Sequence, residues 1–207
     1  MLSEDRWNQL LMRLCGVPPK RDAFRQITAA YSAPERLYHN SQHIIDCLSE
    51  LDEARHLAES PYRVEYALWL HDVYYRPGAG DNEEKSAEWA RRILVDLGCH
   101  GSIADVISSL IMATTHKGTP TTPDEELIID IDLSILGQKP ETFDRYEKGI
   151  RAEYSWLSYA DYSEGRTKIL SSFLNRRRIY FSDWFERKYG AQARNNLTRA
   201  LAALKRL

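Results

Sequence analysis

Apolar residues recur along this chain at spacings of three and four, the period of one helical face, from near its first residue to its last. Trp7, Leu10, Leu11 and Leu14 make the first stripe over residues 4–14, and Gly16, Pro18 and Pro19 end it. Phe24, Ile27 and Tyr31 mark a second short helix over residues 20–31. Ser32-Ala33-Pro34 reads as a turn and a helix start, and the helix after it runs on through Ile44, Cys47, Leu48 and Leu51. Tyr62 to Tyr75 reads as one helix, with Val64, Ala67, Leu68, His71 and Tyr75 on a common face. The loop Arg76-Pro-Gly-Ala-Gly80 follows, and Asp81-Asn82 then reads as a helix cap. Residues 86–97 and 102–116 are two further amphipathic segments, separated by Gly98. Pro123 opens a stretch reaching Leu136, in which Asp130 and Asp132 interrupt an apolar run that alternation alone would also allow as a strand. Residues 141–157 carry an aromatic stripe, and 162–181 and 183–206 complete the chain with helical patterns. The pattern predicts an all-α fold of about nine or ten helices. With no repeat or linker in view, it predicts a single compact helical domain over residues 1–207.

Composition narrows the class. A chain of 207 residues, 43% hydrophobic, is long enough for a sizeable core. The formal net charge is −2, with both signs mixed throughout, so neither a nucleic-acid arm nor a membrane patch is indicated. Charged residues interrupt every apolar run short of a membrane span, and no signal peptide opens the chain. The expected location is the cytoplasm. Cys15, Cys47 and Cys99 are odd in number and widely spaced, which indicates neither a disulfide framework nor a zinc knuckle.

The candidate chemistry lies in polar residues that break apolar faces. His71 ends a core-facing stripe with Asp72 beside it, and a buried imidazole must satisfy its nitrogens, by the backbone or by a metal. His39 and His43 are four apart, one turn of a helix, so both can point into one site. Glu83 and Glu84 suit the first turn of a helix by its dipole, or one of them acts as a base at the site. His116 and Lys117 fall at a helix end, as a cationic cap, or with His116 as ligand of a second metal or a phosphate and Lys117 on a phosphate oxygen. His100 follows Gly98-Cys99 in a loop. Asp132 and its neighbour Asp130 are costly in an apolar run unless paired, capped or bound to metal.

Taken in order, His43, His71-Asp72 and Asp132 resemble the ligand series of the HD-domain superfamily of metal-dependent phosphohydrolases. Tyr38-His-Asn-Ser-Gln-His43 is similar to the Tyr-His-Asn-x-x-His signature of cyclic-nucleotide phosphodiesterases in that superfamily, and Asp132-Leu-Ser134 to their Asp-Leu-Ser segment. The wider chain, over residues 30–200, resembles a compact bacterial family of predicted HD-type phosphohydrolases. The resemblance implies an HD-type helical domain with His43, His71, Asp72 and Asp132 as ligands of one divalent ion, and His39 as proton donor to the leaving oxygen. Two imidazoles and two carboxylates suit Mn, Fe, Ni, Co, Zn or Mg. The implied activity is attack of metal-activated water on phosphorus in a small phosphate ester, such as a nucleotide. Asp72 and Glu83 would assist, and Arg36, His116 and Lys117 would hold the phosphate. The much larger phosphodiesterases carry a purine-clamping glutamine pocket with no counterpart here, so cyclic-nucleotide specificity is not implied. Two other readings stand beside this one: a di-iron HD-type oxygenase, and a regulatory module that binds metal or nucleotide without turnover. Expected partners are a small phosphorylated substrate and a second copy of the chain.

Overall fold

The computed structural model describes residues 2–16, 21–99 and 101–205. Ten helices of ten or more residues carry the fold, and there is no strand among the described residues. The all-α expectation therefore holds. Pro18, Pro19 and His100 lie outside the described residues. Also among the described residues, no helix is long and apolar enough to cross a membrane.

The chain divides into two compact units, Met1–Ile131 and Asp132–Leu207. The first contains α1 (Glu4–Cys15), α2 (Arg21–Tyr31), α3 (Ser41–Ala54), α4 (Pro61–Leu70), α5 (Asn82–Asp96) and α6 (Ser102–Ala113), and α7 (Pro123–Asp132) up to its last residue. Its centre is α4. Every residue from Val64 to Leu70 is buried, so beyond its first turn this helix has no solvent face, the condition of a helix packed on all sides. Helices α1, α3, α5 and α6 surround it. The Trp7 ring stacks on Tyr66 and meets Trp69 edge-on, both at 5.4 Å. Tyr66 donates its hydroxyl proton to Ala90 O on α5 at 3.0 Å, and Tyr31 donates to Trp69 O at 3.1 Å. The buried charge of α4, Glu65, is paired with Arg6 at 2.7 Å and with Arg55.

Several boundaries differ from the sequence pattern. Helix α4 stops at Leu70, where the pattern ran on to Tyr75; Val73 N–H closes a tighter, final turn onto Leu70 O at 3.1 Å, with His71 still at helical angles (φ −60°, ψ −33°). Helix α3 starts at Ser41, because Asn40 caps it by accepting the Gln42 N–H at 2.8 Å, so His39 precedes the helix. The Asp81 carboxylate caps nothing and pairs with Lys85 at 2.6 Å. Asn82 instead brackets the loop before it, bonding Arg76 N and O at 3.0 and 3.1 Å. Helix α6 ends at Ala113, so His116, at φ 57°, lies beyond its last turn. The run through Asp130 and Asp132 is helical, not extended.

Cys15 and Cys99 form a disulfide across 84 positions, joining the end of α1 to the turn after α5. This corrects the expectation of no disulfide. Spacing along the chain could not reveal it, because pairing depends on where the fold brings two distant helix ends.

The second unit holds a short helical turn (Leu133–Gly137), α8 (Pro140–Glu153), α9 (Tyr159–Leu174) and the last helix (Ala191–Leu204). Asn196 on the last helix is fully buried and donates to Leu136 O and Gln138 O at 2.9 and 2.8 Å. Gly137 admits no side chain, since a Cβ there would lie 2.8 Å from Tyr189 O. Buried Arg166 is held by the Tyr146 hydroxyl at 2.7 Å and by the Glu147 carboxylate.

Candidate metal centre

The site is assembled from three helix features. Helix α3 presents His43 and Cys47, four residues apart and therefore on one face, both buried. The turn that ends α4 presents His71 and Asp72. Helix α7 carries Asp132 as its last residue.

His71 is 1% exposed and His43 4%. His71 Nδ1 lies 2.9 Å from Leu68 O. A carbonyl oxygen only accepts, so the ring proton sits on Nδ1 and the Nε2 lone pair is left for another partner. That Nε2 faces His43 Nε2 at 3.1 Å. Asp72 Oδ2 stands 3.2 Å from His71 Nε2 and 3.5 Å from His43 Nε2. Cys47 Sγ lies 3.7 Å from His43 Nδ1. One ligand atom from each of His43, Cys47, His71 and Asp132 falls within 4.8 Å of every other. These four form a group able to hold a metal ion.

The electrostatics agree with that reading. Burial pushes the Asp72 carboxyl up, but with no ion bound a protonated His71 and hydrogen bonds from both imidazoles outweigh it and hold the group well below the usual carboxylate range, so the site favours a positive charge, a proton or a cation, beside Asp72. Burial raises the Tyr31 phenol well above its ordinary value, with Asp72 adding to the effect.

Arg36 binds the walls of the site together. Its guanidinium donates to Asp72 O at 2.6 Å, Val73 O at 2.9 Å and His39 O at 3.3 Å, and lies over the rings of Tyr31 and Tyr75. Expected from sequence to hold a phosphate oxygen, Arg36 is 8% exposed and fastens the His71-Asp72 turn to the segment before α3. His39 stacks on Tyr75 at 4.0 Å, and its ring centre is 6.1 Å from that of His43. Glu83 is half-buried in the first turn of α5, His116 is half-buried beyond α6, and Lys117 is exposed. Among the described residues the metal-holding group includes neither Glu83 nor His116, and Asp72, expected as a ligand, stands beside it against both imidazoles, with Cys47 in the group instead.

Cys47 is the member that sequence reading missed. It read as one more apolar residue on the buried face of α3; its position four after His43 was the available signal.

Fold and site together define an all-helical protein with a buried His/Cys/His/Asp group suited to a metal ion. No protein-family model, curated protein or solved structure matches this chain.

Proposed function

We propose that this protein is a metal-dependent phosphohydrolase of the HD type, acting on a small phosphate ester such as a nucleotide. The observation that carries the reading is the His71 tautomer: with Nδ1 bound to Leu68 O, the Nε2 lone pair is aimed at His43, Asp72 and the rest of the cluster. The donors fit a divalent ion. His43, Cys47, His71 and Asp132 would hold it, with Asp72 beside both imidazoles, and the Cys47 sulfur favours zinc, cobalt or iron over magnesium. When bound, such an ion supplies Lewis acidity and lowers the pKa of water.

The chain's own groups do the remainder. Asp72 orients both imidazoles. Arg36 fixes the turn on which His71 and Asp72 ride, so their approach angle is set before any ligand arrives. His39, held flat against Tyr75 and facing the cluster, gives its ring N–H proton to the leaving oxygen.

The test is elemental analysis of protein purified without chelator or a metal-affinity tag, beside Asp72→Ala, with a screen of phosphate esters. About one ion per chain, lost in the variant together with turnover while helix content is unchanged, is the expected result. Full metal-dependent turnover in Asp72→Ala would sink the assignment. Two irons per chain with oxygen uptake would replace it by the oxygenase reading. His39→Ala should keep the ion and slow turnover most for esters with poor leaving groups.

A further inference from the structure

The second unit contains a hollow of about 570 Å³, within the range of small-molecule sites, that none of the metal-centre residues touches. Its walls are Phe143 and Ala152 of α8, Tyr159 and Tyr162 of α9, and Ala200 and Ala203 of the last helix. Three aromatic rings give an apolar surface, and three alanines leave the space unfilled. A second hollow of about 460 Å³ shares Tyr159 and Leu204 with it.

The charges on its rim are unequal in how they are satisfied. The Asp144 carboxylate pairs with Arg199 at 2.6 Å, and Glu147 pairs with Arg166. Both wall carboxylates are thus matched to a cation. Among the described residues two positive groups have no carboxylate: exposed Lys148 and half-buried Arg151. Arg151 donates only to the backbone oxygens of Tyr154 and Leu157, at 2.7 and 3.3 Å, and lies over the Tyr162 ring at 4.8 Å. The two are three apart on α8 and so share one helix face at the mouth of the hollow. An apolar trough with two uncompensated cations at one side is complementary to a molecule with one anionic head and an apolar body.

We propose that this hollow is a binding site for an aliphatic carboxylate, with the carboxylate at Lys148 and Arg151 and the chain laid over Phe143, Tyr159 and Ala203. The site is independent of the phosphohydrolase reading, since it uses no residue of the metal centre.

Calorimetric titration with decanoate and with decan-1-ol tests it, using the full chain and two variants at exposed positions, Lys148→Gln and Ala203→Trp. Decanoate should bind at one per chain, and decan-1-ol roughly tenfold more weakly for want of the charged contact. Lys148→Gln should bring the two ligands to similar affinity. Ala203→Trp should fill the trough and abolish both, with circular dichroism unchanged. Three results would overturn the proposal: no saturable binding of decanoate, equal affinity for acid and alcohol in the unaltered chain, or unaltered binding by Ala203→Trp. A dimer that Ala203→Trp dissociates would give the trough to a second copy of the chain and overturn it equally.

Discussion

Two buried polar clusters, one in each unit, behave in opposite ways. In the second unit, Arg166 sits between the Tyr146 hydroxyl and the Glu147 carboxylate, so donors meet acceptors and positive charge meets negative. Its partners hold the guanidinium charged far above the ordinary range, against the cost of burial. That network is closed, and its work is to hold α8 to α9. In the cluster of His43, Cys47, His71 and Asp72, imidazole nitrogens face each other at 3.1 Å and a carboxylate oxygen stands over both. Each imidazole nitrogen there needs a proton or a cation between it and the acceptor it faces. A closed cluster is explained by folding; a convergent one asks for a ligand.

The contrast can be broken by experiment. Arg166→Met should lower unfolding free energy by about 3 kcal/mol in urea melts, since it strands a carboxylate, and should leave metal content unchanged. Adding Glu147→Leu should recover most of the loss; failure to do so would mean the arginine is more than a structural tie. The histidine cluster should respond to solution conditions instead. An ion supplied at a hundred times its Kd should add about 2.7 kcal/mol of stability, removable by chelator and absent in His71→Leu. Equal melting temperatures with and without chelator, in protein shown to bind an ion, would contradict this. Arg36→Lys keeps the charge but not the fork that spans three carbonyls. It should weaken metal affinity roughly tenfold, measured by competition with a chromophoric chelator, with little change in helix content.

The smallest effect is alkaline, and it spans both units. Burial raises the Tyr66 phenol well above its ordinary value and Tyr162 to about 12. In the folded protein both phenols keep their protons to higher pH than in the unfolded chain. From pH 10 to about 12 the unfolded chain therefore binds fewer protons, and stability falls as pH rises through that window. Below pH 10 these two groups contribute no slope. Urea melts at pH 8, 9.5 and 11 would read this, and Tyr66→Phe should flatten the decline.

Much of the fold was legible because helical periodicity needs only the chain's own order. The helices expected over residues 4–14, 20–31 and 102–116 form over Glu4–Cys15, Arg21–Tyr31 and Ser102–Ala113, as their apolar stripes require. Boundaries set by single hydrogen bonds were less so. The end of α4 depends on the turn from Val73 to Leu70, and the start of α3 on the Asn40 side chain, both hidden within apolar or polar runs that continue past them. In the site, His43, His71 and Asp132 stood out as polar residues on apolar faces. Cys47 did not, because a thiol in a hydrophobic stripe looks like any small apolar residue. Arg36 was visible only as a charge, and its three carbonyl partners lie at His39, Asp72 and Val73, two of them on a distant segment.

The bond between Cys15 and Cys99 makes part of this protein a macrocycle. His39, His43, Cys47, His71 and Asp72 all lie on the closed ring, whereas Asp132 lies on the linear chain that leaves it. A protease that nicks the ring once releases nothing: the two arms stay joined through sulfur until a reductant is added. A nick between Cys99 and Asp132 instead frees a fragment bearing that carboxylate once the chain unfolds, and leaves His43, His71 and the Cys47 thiol on a single covalent loop.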